Sequence, residues 1–555
     1  MEANSEQLEG GTSMRQARAR WFPWVWFVMV FGVFCWIQFS DRDQDVKNTI
    51  RLLCLGAFFV GWSAWQLLCS GRIGRQRLLI ALLPWGIASL IFSSIEFVNN
   101  GDMAVVGWQW RWHSKHDEKL NVPLANKQTI TEWLTTSHDY PRFLGNGYWA
   151  EVPNIEFKTD WSTNPPKEIW RREIGAGWSG FALVGDYAIT QEQRGDQELV
   201  TCYRINSNQP EGELVWSHAD IVRFDPGGAG ALGGIGPRAT PTVYNGHVYT
   251  MGATGIVNCL DARTGGRVWS HDTLAENDLI NIMWGKATSP LVVERQAGET
   301  LVVVSVGAPT GSLVAYDSET GKQVWSAGKN RSSYASPVLA EILGEQLILS
   351  INEDLITAHR VDDGLIVWEH EWLGNSDSDA TASQPIPLPD DQLFLSKGYG
   401  VGSTLLQLKR DDGGKITAEP IWTRKVMKTK MGNVVIRDGY VYGLDGGILQ
   451  CIDLAEGRNQ WKKRRVPAIG HGQIMLVGNA IVVLSEAGEL ILVEPTPEEY
   501  RELAAMRVFP AEQVTWNNPG FSAPYLLLRN AEQAVCLKMP LAEALPSQSE
   551  NSGGK

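Results

Sequence analysis

Trp178, Arg238, Lys286, Tyr334, Lys430 and His471 fall at one position in successive repeats of this 555-residue chain. The fixed cations among them can hold an anionic group, and the indole or phenol can stack on a planar one. The same side chains can equally be solvated loop residues, or plug residues that satisfy one another. Two glycine runs, Gly227-Gly228-Ala229-Gly230 and Gly233-Gly234-Ile235-Gly236, would cradle a phosphate only between a strand and a helix; no such pair flanks them, so they read as flexible loop. His471, within Gly470-His471-Gly472, has no second ligand at metal spacing, and Asp377-Ser378-Asp379 lacks the rest of a calcium loop. No metal site is expected.

A repeat has to position these residues. From residue 165 onward an apolar strand is followed by Asp, three residues, Gly, three residues and Trp. Asp261, Gly265 and Trp269 form one copy, Asp317, Gly321 and Trp325 the next, and Asp453, Gly457 and Trp461 another. A fourth keeps Gly364 and Trp368 but has Arg360 in the Asp place, and degenerate copies end at Trp216 and Trp422. The pattern is a hairpin: Asp bonds the amides of the turn, Gly supplies a positive φ, and the following strand delivers an indole. Upstream of each copy lies a strand opening on small residues and proline, such as Ala239-Thr240-Pro241, Thr288-Ser289-Pro290, Ala335-Ser336-Pro337 and Ser383-Gln384-Pro385. Four strands per repeat follow.

Trp170, Trp216, Trp269, Trp325, Trp368, Trp422, Trp461 and Trp516 mark successive closing strands, about 40 to 55 residues apart, the length of one propeller blade. The strands at Tyr525–Leu528 and Ala534–Met539 lack a closing Trp, while Glu168-Ile169-Trp170 is a closing strand with no blade before it. Pairing them completes an eighth blade and hides both sheet edges. Seven blades result instead if Trp516 belongs to an insertion from Pro495 to Pro519. The fold expected is all-β, an eight-bladed propeller of four-stranded antiparallel blades.

A net charge of −13 with no Lys/Arg footprint in the propeller region argues against nucleic acid as a partner. Cys202, Cys259, Cys451 and Cys536 each sit in a short apolar strand, one packed position per blade, and no disulfide framework is indicated. Cys35, Cys54 and Cys69 lie in apolar N-terminal segments. Residues 21–39, 52–70 and 78–98 are each long and apolar enough to cross a bilayer, giving three transmembrane α-helices before the propeller. Arg15, Arg18 and Arg20 before the first span, and Arg72, Arg75 and Arg77 between the second and third, put those two sides in the cytoplasm. The organisation expected is a basic cytoplasmic tail (1–20), a three-helix anchor (21–98), an extracytoplasmic linker (99–164), the propeller (165–540) and a disordered tail (541–555). That topology places the chain in the cytoplasmic membrane, multi-pass, with a periplasmic propeller. Trp108, Trp110 and Trp112, just past the third span, fit either a carbohydrate or partner platform or anchoring at the membrane interface.

The recurring Asp-x-x-x-Gly-x-x-x-Trp over roughly residues 165 to 540 resembles the PQQ-like propeller superfamily, which includes quinoprotein alcohol dehydrogenases and the BamB lipoprotein of outer-membrane barrel assembly. The run Asp139-Tyr140-Pro141-Arg142-Phe143-Leu144-Gly145, the segment Thr159 to Trp170 and Gly175 to Phe181 also resemble membrane-anchored PQQ-repeat proteins of planctomycete-like bacteria. The dehydrogenase resemblance implies PQQ held between a Trp and a disulfide of adjacent cysteines, Ca²⁺ on carboxylates and an Asn, and an Asp base. No two cysteines are adjacent here, and no Cys-x-x-Cys-His haem signature occurs. The repeat residues build blades rather than a reaction centre. The function expected is a non-catalytic binding or assembly scaffold with an envelope protein partner; a PQQ- and Ca²⁺-dependent oxidoreductase is the alternative.

Overall fold

The computed structural model of the chain describes residues 3–40, 44–70, 72–123, 130, 133, 135–136, 138–147, 149–227, 233–296, 298–352, 354–374 and 380–542, with residues 3–20 given by backbone alone. Gly228, Ala229, Gly230 and the Asp377-Ser378-Asp379 loop lie outside the described residues, as does the tail beyond Ala542. Two compact units form, residues 1–114 and 115–555.

In the first unit, α1 (Ala3–Gln38), α2 (Gln44–Leu68) and α3 (Gly74–Ser94) each contain a stretch apolar and long enough to span a membrane. Small residues bring them close. A Cβ at Gly61 would lie 1.9 Å from Nε1 of Trp26, whose N–H instead donates to Ala57 O at 2.9 Å. Ser63 Oγ donates to Ala81 O at 2.8 Å and accepts from Trp85 Nε1 at 2.9 Å, joining α2 to α3. The third helix stops at Ser94, short of the expected Val98. Ile95, Phe97 and Val98 favour extended backbone, and β1 (Ile95–Asn99) pairs with β2 (Val105–Trp110) across a turn in which Asn100 Oδ1 accepts from Asp102 N and Ala104 N.

The second unit is a ring of eight antiparallel sheets. The first blade runs Ala182–Val184, Tyr187–Arg194, Gln197–Arg204 and Glu213–Asp220; the last consists of Gly520–Ser522, Tyr525–Arg529 and Gln533–Lys538, completed by β4 (Lys167–Glu173) from the start of the unit. The ring therefore closes by joining chain ends, as expected from the unpaired strands.

Each repeat residue has a visible task. Asp261 Oδ1 accepts from the backbone N–H groups of Arg263 and Thr264, Asp317 Oδ1 from Thr320 N and Asp453 Oδ1 from Glu456 N, so the carboxylate closes its turn. The Trp works on the next blade: its indole lies on that blade's motif glycine and its Nε1 donates to a carbonyl there. Trp216 reaches Ala262 O, Trp269 reaches Ser318 O and Trp325 reaches Val361 O, each at 3.0 Å, and Trp422 reaches Leu454 O at 2.9 Å. A Cβ at Gly265, Gly321, Gly364 or Gly457 would come within 2.7 Å of that indole, so the glycine is required by the neighbouring blade as well as by its φ near +70°. Trp170 continues the girdle across the closure, donating to Ile205 O at 2.8 Å. Cys202, Cys259, Cys451 and Cys536 sit opposite Trp216, Trp269, Trp461 and Trp170 in the strand register, buried and unbridged.

Trp516 departs from the marker pattern. The strand Glu502–Arg507 closes the seventh blade, and Ala504, opposite Leu492 at the usual register shift, takes the tryptophan place. Trp516 lies beyond it, in the segment leading to the last blade. The eight-blade count survives because β4 supplies the missing strand.

The described residues between 115 and 164 pack on the propeller. The buried Asp117 pairs with Arg223 at 2.6 Å, and Arg194 Nη1 donates to Asn121 O. Tyr140 exchanges backbone bonds with Leu183, Val243 N donates to Pro141 O, and β3 (Glu151–Val152) lies parallel to Leu476–Val477. These partners belong to the innermost strands of three blades, so the segment 139–157 crosses the channel and covers inner edges that the blades leave unpaired. Leu541 bridges Phe157.

Candidate binding site at the channel mouth

The innermost strands start from a belt of small polar residues. Gly180 N donates to Thr240 Oγ1, Thr240 N to Ser289 Oγ, Ser289 N to Ser336 Oγ and Gln384 N to Asn433 Oδ1, each side chain reaching back from the next blade. This is why Thr, Ser and Asn recur beside the blade-opening prolines: a short hydroxyl or amide satisfies a buried amide across the blade interface.

The six candidate residues sit just before this belt. Trp178 Nε1 donates to Gly233 O at 2.6 Å, and its ring meets Trp516 with centroids 4.8 Å apart. Arg238 donates from Nη2 to Gly233 O and Gly234 O at 2.7 Å and from Nη1 to Gly236 O, with its guanidinium 4.8 Å above the Phe224 ring. Burial draws its pKa down to about 10. The Lys286 ammonium, 2 % exposed, donates to Val306 O at 2.5 Å and Ser332 Oγ at 2.9 Å; burial, and to a smaller extent Arg331, lowers it to about 8. Tyr334 packs on Trp284 and accepts from its backbone N–H at 3.4 Å. His471 is buried, its backbone N–H donating to Glu486 Oε2, while Glu486 Oε1 accepts from Trp516 Nε1 at 2.7 Å.

His471, Trp178 and Arg238 thus follow one another along linked contacts, through Glu486 and Trp516 and then through Gly233 O. The Lys430 ammonium lies 5.2 Å from the centre of the Tyr399 ring. Trp178 donates its indole N–H, Arg238 three hydrogen bonds and Lys286 two to carbonyls and a hydroxyl of the chain itself, so the glycines Gly233, Gly234 and Gly236 act as acceptors for Arg238 rather than as a phosphate cradle.

Sequence reasoning missed Glu198, Glu486 and Trp516. Glu198 lies in a strand, 4 % exposed, with Oε2 accepting from Ala253 N at 3.0 Å. Its alternation within Gln197–Arg204 carries no sign that the carboxylate faces a blade interface. Burial raises its pKa to about 7. A carboxyl whose folded pKa exceeds its unfolded value of 4.5 contributes fully below 4.5 and costs stability as pH rises toward 7. Glu198→Gln is therefore expected to flatten the fall in melting temperature between those two values, leaving the more acidic limb unchanged.

Among the described residues, no group of three or more His, Cys, Asp or Glu side chains converges as a metal site would. A separate cavity of about 580 Å³ lies among the inner strands of four consecutive blades, at the end where segment 139–157 crosses. Leu339, Leu388, Ile436 and Trp149 wall it, and Glu151, Glu341, Asp390 and Asp391 ring it.

The fold and its girdle define a PQQ-like repeat β-propeller. The family model described as outer membrane protein assembly factor BamB matches residues 196–463. The chain is 23 % identical over 308 residues to the outer membrane protein assembly factor BamB of Moranella endobia, covering 53 % of this chain and 73 % of that protein. It is 36 % identical over 142 residues to a quinohemoprotein alcohol dehydrogenase of Comamonas testosteroni, covering 25 % of this chain and 17 % of that enzyme. The crystal structure of BamB from Moraxella catarrhalis aligns with a TM-score of 0.46 at 13 % identity, over 67 % of this chain and 98 % of that one. The propeller is BamB-like and quinoprotein alcohol dehydrogenase-like, and three apolar helices precede it.

Proposed function

We propose that this protein is a membrane-anchored, non-catalytic scaffold whose propeller binds an envelope protein partner outside the cytoplasm. The observation that carries this reading is that the channel mouth is bonded to itself: Trp178, Arg238 and Lys286 donate to the chain's own oxygens, and Trp178 turns its ring to Trp516. A site prepared for an anionic planar ligand would keep those donors and that face available. PQQ does not fit this residue set: the chain has no adjacent cysteines to back the quinone, and Trp178 at the mouth already has an aromatic neighbour in Trp516. The BamB relatives bear the name of assembly factors, which accords with a binding role.

The cavity at the other end of the channel offers a partner a lining of both apolar and acidic side chains. Mild-detergent purification of the full chain is expected to yield a stoichiometric complex that is lost on Leu388→Asp. Recovery of the chain alone from membranes that express it natively, with or without that substitution, would count against the scaffold reading.

A further inference from the structure

The first unit ends in the β1–β2 hairpin. Its register sets Ile95 opposite Trp110, Glu96 opposite Gln109, Phe97 opposite Trp108 and Val98 opposite Gly107. Successive side chains of a strand alternate between faces, and directly paired residues share one. One face therefore carries Ile95, Phe97, Trp108 and Trp110, and the other Glu96 and Gln109, whose side chains bond at 3.4 Å. The hairpin is amphipathic. Trp112 extends the apolar face by stacking on Trp110 at 4.7 Å, and Trp108 meets Trp110 edge-on at 5.3 Å. Trp108, Trp110 and Trp112 remain 57, 37 and 67 % exposed, an unusual density of uncovered indole in so short a segment.

Their height is fixed against the third span. Trp110 pairs with the first residue past α3, and Arg111 donates from its backbone N to Ser94 O and from Nε to Phe92 O, both at 3.0 Å. Trp112 is thus held level with the last helical turn. At the tip, Asn48 Nδ2 donates to Asp102 O at 2.7 Å, tying the hairpin to the start of α2. Two spans therefore hold the hairpin at the level where apolar helix gives way to polar chain. In a bilayer that level is the headgroup boundary, where an amphipathic indole is favoured.

We propose that residues 95–112 are an in-plane interfacial anchor, with Trp108, Trp110 and Trp112 inserted among the lipid headgroups and Glu96 and Gln109 facing water. This inference rests on membrane insertion of the helices and is independent of what the propeller binds.

The test uses the full chain in phosphatidylethanolamine–phosphatidylglycerol vesicles, with bromine placed on the acyl chain either near the carbonyl or near the terminal methyl. W108F/W110F/W112F removes the three emitters while keeping aromatic bulk. Comparison with the unsubstituted protein should show loss of a component quenched more strongly by the shallow bromine than by the deep one and inaccessible to acrylamide. Loss of an acrylamide-quenched component untouched by either bromolipid would overturn the proposal, and would leave the face to a protein or sugar. Loss of a component quenched best by the deep bromine would also overturn it. An unchanged melting temperature of the triple variant verifies folding; should it misfold, W112F alone, at the most exposed of the three indoles, gives the same comparison.

Discussion

Arg529→Ala is expected to lower the stability of the propeller by about 3–5 kcal/mol, the cost of breaking a buried, hydrogen-bonded charge constellation from one side. Arg529 is fully buried on the last blade and reaches across the ring closure: Nη1 donates to Thr190 Oγ1 at 2.9 Å and Gln191 O at 2.8 Å, and Nη2 to Gly175 O at 2.8 Å. Glu192 faces this guanidinium and that of Arg194, and accepts from Tyr203 at 2.7 Å. Burial alone would raise the Glu192 pKa, but Arg194 and then Arg529 hold the carboxyl down to about 2. Removing Arg529 takes a charged donor from the oxygens of Thr190, Gln191 and Gly175 and leaves the carboxylate with one cation. Lysine is not expected to rescue the variant, since a single ammonium cannot span the oxygens that the planar fork serves. Calorimetric unfolding in detergent at neutral pH measures the loss; a variant that melts with the native protein would show that this seam is held elsewhere.

Trp170→Ala is the second large effect, also about 3–5 kcal/mol, from deletion of a buried indole that the surrounding blades cannot collapse to replace. Trp170 is 1 % exposed, rests on Gly212 and donates to Ile205 O, so its loss both opens a cavity and orphans a buried carbonyl. It sits on β4, the one strand that the start of the unit lends to the last blade. The same deletion at Trp269 acts between blades whose strands follow one another in the chain, whereas Trp170 sits on β4, which joins the other strands of its blade only by pairing with Gln533–Lys538, and Arg529 ties those strands to the first blade, so both act where the ring closes. For that reason the Trp170→Ala/Arg529→Ala double variant is expected to lose less than the sum, because the seam is already open once either is gone. Strict additivity would contradict a shared seam.

The girdle was legible because its parts recur at fixed spacing: Asp, Gly and Trp each do a local job in every blade, so periodicity alone exposes them. The closure was legible from a strand with a Trp and no blade, at one end, and strands without a Trp at the other. What escaped reading depends on contacts between residues far apart in the chain. Nothing near Tyr140 or Glu151 marks them as partners of Leu183 and Leu476, and Glu192, Glu198 and Arg529 look like ordinary charges on strand flanks until the ring buries them. Trp516 resembled the eighth closing-strand marker only by composition and spacing; its place at the mouth is set by Glu486 and Trp178. Likewise Ile95 to Val98 continue the hydropathy of α3, and only pairing with Val105–Trp110 ends the helix. Alignment of the repeats grouped the candidate mouth residues, but alignment could not show that Trp178, Arg238 and Lys286 bond to the chain's own oxygens.

The central claim is that the channel mouth is a satisfied structural element and not a quinone site. Calorimetric titration of the full chain with PQQ, with and without Ca²⁺, and its absorption spectrum as purified test this directly. The expected result is no binding heat and no quinone absorbance. Micromolar or tighter binding that weakens when Trp178 and Arg238 are replaced would contradict the account and assign the mouth to an oxidoreductase.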